Sequence, residues 1–352
     1  MSKELQLNIQ KGKGRPKKLY MVLDCETATL PFIKSLDISD NEKRKLSIAK
    51  PLIYDIAWRV VDRVGTVYSQ HSFLVQETFF VPQVFNTAYY KGKRALYMEK
   101  FKNGEIIAKT WNEIVEILIN DLKNVEMSLA YNAMFDYKKA ITFTEKYINA
   151  LYSDNYTEWE ERQKASCLAE PQKNENFDSE HLILRDIKYP IADLWSLSCE
   201  RLINTTAYKT KCLETAQISP SGLYFKTSAE STYRYLMDKY DFIESHTALE
   251  DCEIETKILT ECLKKGKIRK GLVYFPFESL GLTTEHIIDN HAKGITQETI
   301  IKLIDIYMTR LSATEKVFAR ARNECYRLLE WAKEKYGAEK FEYYINEIQE
   351  YF

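Results

Sequence analysis

The chain reads as a mixed α/β protein, a sheet flanked by helices with a helical C-terminal extension. The run Leu19-Tyr20-Met21-Val22-Leu23 is short, apolar and uninterrupted, the pattern of a strand covered on both faces. Residues 52 to 61 and 66 to 75 are β-branched and aromatic, and Asp62-Arg63-Val64-Gly65 between them reads as a hairpin turn. Thr110-Trp111-Asn112-Glu113 and Thr247-Ala248-Leu249-Glu250 each match a capping box, the signature of a helix N-terminus.

Taken in order, the elements begin with an arm. Residues 1 to 18 carry six basic side chains against Glu4 alone and little apolar surface, which predicts a flexible basic segment. The first strand starts at Leu19 and is expected to end at Asp24, and the hairpin supplies two more strands. Behind Thr110, the spacing of Ile114, Ile117, Leu118 and Leu122 is helical. Met127 to Tyr131 is a fourth strand, followed by a helix that the Asn132 side chain can cap. Residues 152 to 187 lack a clean period and are expected to form an insertion or loop. Pro190 to Leu194 reads as a fifth strand leading into a helix over Trp195 to Ile203. The helix opened by Thr247 can run to Lys265 and stop at Gly266, and from residue 295 onward the pattern is helical. The expected division is therefore an arm at 1–18, a main domain at 19–265 and a mostly helical extension at 266–352.

Composition narrows the classes. With 45% hydrophobic and 29% charged residues among 352, the chain is ordinary for a globular protein. No stretch approaches the roughly 18 apolar residues of a membrane span, and the N-terminus has no secretory apolar segment, so a cytoplasmic location with no membrane partner is expected. Seven cysteines without a Cys-x-x-Cys pair argue against disulfides and thiolate zinc. A net charge of −1 means that any attraction to nucleic acid must come from local patches. The absence of a Gly-x-x-x-x-Gly-Lys-Ser/Thr loop weighs against an ATP-driven enzyme.

Three segments carry chemistry. Asp-x-Glu occurs four times, but only Asp24-Cys25-Glu26 follows a buried apolar strand. Strand alternation puts positions 24 and 26 on one face, where two carboxylates repel unless a cation sits between them. Asp136, in Tyr131-Asn132-Ala133-Met134-Phe135-Asp136, falls in the first turn of a helix after a strand; taken alone, such a residue is more often just a partner for the helix dipole. His246 stands just before an N-cap and Asp251 one turn inside that helix, so both project toward one helix end. A histidine can take a proton from water at neutral pH, whereas either residue alone is more often structural.

In their order and spacing these segments resemble the DEDDh 3′→5′ exonucleases, the family of polymerase proofreading subunits, ribonuclease T and oligoribonucleases. The match runs from Asp24-Cys25-Glu26-Thr27 through Asn132-x-x-Phe135-Asp136 to His246 and Asp251, over roughly Leu19 to Lys265. The resemblance implies a ribonuclease H-like sheet and two Mg²⁺ ions, for which Mn²⁺ can substitute. It implies that Asp24 bridges both ions, that Glu26 and Asp251 complete one shell, and that Asp136 supports the other. It makes His246 the general base and a nucleoside 5′-monophosphate the product. Single-stranded or frayed DNA 3′ ends are the expected substrate ahead of RNA, with a polymerase or replication protein as a partner. Thr27, Leu30 and Asn132 would contact the terminal nucleotide. The chain departs from the family in lacking the glycine that often follows the first motif, having Thr27-Ala28-Thr29-Leu30, and in carrying Tyr131 where a histidine often precedes Asn132.

Further nucleic-acid contacts come from charge. Residues 79 to 102 interleave seven aromatics with Lys91, Lys93, Arg94, Lys100 and Lys102, a pattern that serves stacking and phosphate contact or simply packs its rings inward. Lys13-Gly14-Arg15-Pro16-Lys17 resembles an AT-hook core but also reads as a non-specific basic tail. Lys267, Arg269 and Lys270 cluster beyond the Thr247 helix. The competing reading of the whole chain is a nucleic-acid-binding or polymerase-docking protein that keeps the fold without catalysis.

Overall fold

In the computed structural model, residues 17–168, 178–215, 217–219, 224–268, 282, 296–311 and 315–349 are described. The strands are β1 (Leu19–Thr29), β2 (Pro51–Asp62), β3 (Val67–Val75), β4 (Ile107–Lys109), β5 (Met127–Ala130), β6 (His181–Leu184) and β7 (Ile187–Asp193). They form one sheet in the order β4-β3-β2-β1-β5-β7-β6. β1, β2 and β3 pair antiparallel, whereas β5 pairs parallel with both β1 and β7. The sheet is therefore mixed.

Alternation along β1 explains its apolar run. Tyr20 and Val22 enter a buried cluster with Leu129, Ile254 and Ile258, while Met21, Leu23 and Cys25 enter another with Trp58, Trp111 and Tyr137. Each face of the strand thus has its own core, and no position before Asp24 meets water freely. The C-terminal helices Gln297–Leu311 and Glu315–Tyr336 supply Ile300, Leu303, Ile304 and Leu328 to the first of these clusters. Among the described residues no helix is long and apolar enough to cross a membrane.

Several expectations need correction. β1 does not end at Asp24 but continues to Thr29, because β2 pairs along its whole length, with Asp24 opposite Ala57 and Glu26 opposite Asp55. The register slips between Glu26 and Thr27. The span 152 to 187 is not simply a loop, since it holds the helix Tyr156–Leu168 and strand β6. That helix is polar around most of its circumference and docks through Trp159 against Phe143 and Tyr147, so no apolar stripe marks it. The three-residue edge strand β4 was too short to show a period.

The two capping boxes behave differently. Thr110 Oγ1 accepts from the Glu113 amide while Glu113 Oε2 accepts from the Thr110 amide, closing the box ahead of the helix Trp111–Leu122. At Thr247 no such box forms; its hydroxyl donates to Glu250 Oε2 at 2.7 Å. The helix Ala248–Lys264 is capped from outside instead, by Asp55 Oδ2, which accepts from the Ala248 amide at 3.0 Å.

Candidate active site

The face of β1 that carries Tyr20 and Val22 carries Asp24 and Glu26 next, so both carboxylates turn toward the helix Ala248–Lys264. Two contacts fix that helix on the sheet: the Cys252 thiol reaches the Ala57 carbonyl at 3.3 Å and the Val22 carbonyl at 3.6 Å. Asp251, in the first turn, is thereby held beside Asp24 and Glu26 of β1. Asp55 accepts from the Tyr97 hydroxyl as well as from Ala248, tying the Arg94–Lys102 helix to the same place.

Asp136 arrives from the other neighbour of β1. The chain leaves β5 and turns at Asn132, whose φ of 91° lies in the left-handed region that asparagine tolerates. The Asn132 carbonyl accepts from the Phe135 amide at 2.7 Å, but its side chain does not cap. Asp193, at the end of β7, does that work: its Oδ2 accepts from the Ala133 amide at 2.9 Å and its Oδ1 from the Ser196 amide at 2.6 Å. Met134–Ile141 is wound as a wide π turn before the helix Thr142–Leu151, and Asp136 within it is 3% exposed.

His246 stands outside the Ala248–Lys264 helix with φ 51°. Its ring stacks on Tyr90, centroids 4.5 Å apart and planes 13° from parallel, and its Nδ1 lies 3.5 Å from Glu244 Oε2. The Lys93 ammonium sits 4.4 Å from the Tyr90 ring centre and donates to the Ser245 carbonyl. Glu26, His246 and Asp251 each offer one ligand atom, all within 4.8 Å of one another.

Burial and mutual repulsion dominate the electrostatics. Desolvation, then the charges of Glu244 and Asp55, push Asp24 up to about 8. Desolvation, then Asp24 and Glu244, push Asp251 up to about 10, while burial and Glu230 raise Glu244 to about 7. Glu26, Asp136 and Glu255 are driven well above the ordinary carboxylate range, by burial first and by the neighbouring carboxylates second. His246 moves the other way, because burial and then the Lys93 charge disfavour its imidazolium.

Three buried carboxylate oxygens here, Asp55 Oδ1, Asp251 Oδ1 and Glu255 Oε2, have no hydrogen-bond partner. An all-carboxylate set with one imidazole, self-repelling and with orphaned oxygens, is the donor chemistry a hard divalent cation takes. The residues present therefore fit such an ion.

The structure brings Glu26, His246 and Asp251 to within ligand distance of one another, while Asp24 and Asp136 join them through the repulsion between Asp24 and its neighbours Glu26, Asp251 and Asp136. Thr27 is half-buried beside the register slip, while Leu30 is fully buried in the same core cluster as Ile33 and offers no open surface. Asn132 is exposed. Of the cations, Lys93 lies against the site, Arg94 turns onto the rings of Phe79 and Phe85, and Lys91 and Lys267 are exposed. Lys13, Arg15, Arg269 and Lys270 fall outside the described residues. In the aromatic segment Phe79, Phe85 and Tyr97 are core, whereas Tyr89 is 86% exposed and edge-on to Tyr90.

Sequence reasoning missed Asp55, Glu244 and Glu255, and had Tyr90 only among the aromatics of residues 79 to 102, not as the ring against His246. A signal existed for Glu255, which interrupts the stripe Ala248, Cys252, Leu259, Cys262 with an acid. Compared with protein-family models, curated proteins and solved structures, the chain matches none, so the case for its function rests on the side chains gathered around Asp24.

Proposed function

We propose that the chain is a metal-dependent 3′→5′ exonuclease on a ribonuclease H-like sheet, releasing nucleoside 5′-monophosphates from DNA in preference to RNA. One observation carries this reading. Glu26, His246 and Asp251 hold ligand atoms within 4.8 Å of one another, and Asp24, on the same strand as Glu26, lies close enough for its charge to act on Glu26, Asp251 and Asp136. The antiparallel β1–β3 ladder continued by parallel β5 and β7 supports the fold assignment.

Asp24, Glu26, Asp136 and Asp251 would hold Mg²⁺ or Mn²⁺, whose contribution is to stabilise charge at phosphorus and to acidify water. The chain's own groups do the rest. Burial, then the Lys93 charge, disfavour the protonated form of His246, which suits the neutral imidazole to accept a proton from water. Tyr90 holds the imidazole plane by stacking. Lys93 brings positive charge to an otherwise acidic centre, where it favours a phosphate group. Tyr89 presents an open ring next to these groups, which suits stacking by an unpaired terminal base.

Polarity tests the proposal. With Mg²⁺, 5′-labelled single-stranded DNA bearing a 3′ hydroxyl should shorten stepwise from its 3′ end, and EDTA should stop it. Efficient cutting of covalently closed single-stranded circles, or no shortening of either DNA or RNA, would overturn it.

A further inference from the structure

Glu255 lies one helical turn beyond Asp251 and is 2% exposed. It occupies the buried stripe of the Ala248–Lys264 helix between Cys252 and Leu259, both essentially inaccessible to water. An ionised carboxylate in such a place is costly unless it is paired or coordinates a cation. Among the described residues Glu255 has no ion pair, and its Oε2 has no hydrogen-bond donor. The groups acting on it most strongly are all carboxylates: Asp24, Asp136, Asp251 and Glu244. A glutamate serving packing alone would be matched by a donor or replaced by an apolar side chain at little cost. Glu255 instead adds a further carboxyl one helical turn from Asp251, beside a cluster that already repels itself.

We propose that Glu255 is a further carboxylate of the metal centre, supporting cation binding by Asp24, Asp136 and Asp251. It rests on the reading of that cluster as a divalent-cation site, and not on any particular hydrolytic activity. Its position follows from the helix: Asp251 and Glu255 are four residues apart, so the second stands beneath the first on the same face. A cation bound among the first four carboxylates would supply the positive charge that Glu255 lacks in the protein alone. Support of this kind is worth about 10- to 100-fold in metal affinity where it has been removed from other centres.

The test is binding, read without nuclease activity. Mn²⁺ and Mg²⁺ are titrated calorimetrically into the full chain and into Glu255→Gln, with Glu261→Gln on the same helix as control, and thermal melting is recorded with and without metal. Glu255→Gln should weaken Mn²⁺ binding by about 10- to 100-fold and should melt higher than the wild type when metal-free, since it removes an unmatched buried acid. The control should match the wild type in both. Affinity within twofold of wild type would overturn the proposal and leave Glu255 a buried structural acid. If the amide variant does not fold, Glu255→Asp is read instead; it withdraws the carboxylate by one methylene and should weaken binding in the same direction. Absence of any Mn²⁺ or Mg²⁺ binding by the wild type would overturn the metal centre itself. Metal binding without hydrolysis would overturn only the exonuclease.

Discussion

At the level of single residues, Asp136, His246 and Asp251 were legible because each sits near a helix start, and Asp24 and Glu26 because they follow an apolar run on one face of β1, although that strand continues past them to Thr29. Tyr90 and Asp55 were not, since their importance comes from what they touch across the fold and not from their neighbours in the chain. His246 has its plane set by stacking on Tyr90, and burial, then the Lys93 charge, disfavour its imidazolium. As a base it must be unprotonated, so activity should fall as pH drops through the imidazole pKa and level off above it. His246→Ala should slow single-turnover hydrolysis by roughly 10²–10⁴-fold while metal affinity stays close to wild type, and it should erase the acid limb. A variant that keeps both rate and limb would show that His246 is not the base.

At the scale of elements, hairpin β2–β3, the Trp111–Leu122 helix and β5 were readable because period and punctuation agreed. The helix Tyr156–Leu168 was not, because it buries aromatics at one end and shows no stripe. The N-terminus of the Ala248–Lys264 helix is the instructive case: the sequence offers a local capping box, and the fold uses Asp55 from β2 instead. That choice places Asp251 relative to Glu26, which faces Asp55 across the β1–β2 ladder. Asp55→Ala should therefore destabilise the protein at roughly 1–3 kcal/mol, leaving the Ala248 amide without its acceptor and the Tyr97 hydroxyl with the longer contact to the His246 carbonyl. Asp55→Asn keeps an acceptor and should lose less. Urea melts of the two variants give the comparison, and equal midpoints for Asp55→Ala and wild type would mean that the cap contributes nothing.

Across the whole molecule, the mixed α/β class was written in the alternation of runs and helical spacings, while the sharing of a core between the sheet and the C-terminal helices was not. Apolar stripes say that a helix is covered but not by what. The gathered acids have a consequence for the stability of the metal-free protein. Asp24 goes from an ordinary 3.8 to about 8 and Glu244 from 4.5 to about 7, so the folded state holds protons that the unfolded chain releases. The associated stability is fully present below about pH 4 and is lost as pH rises through about 8. In EDTA the melting temperature should fall between pH 5 and pH 8.5, and millimolar Mg²⁺ should restore it at the upper end. A melting temperature that rises over that interval in EDTA would show that the acids are not repelling one another.

The proposed hydrolysis of nucleic acid should depend on Asp24 above the other carboxylates. Its most direct measurement is Mg²⁺-dependent release of mononucleotides from single-stranded DNA by the wild type and by Asp24→Asn, with circular dichroism confirming that both are folded. The wild type should yield nucleoside 5′-monophosphates, and Asp24→Asn, close to it in shape but short of one negative charge at the centre, should yield almost none. Near-equal release by the folded variant would contradict that dependence.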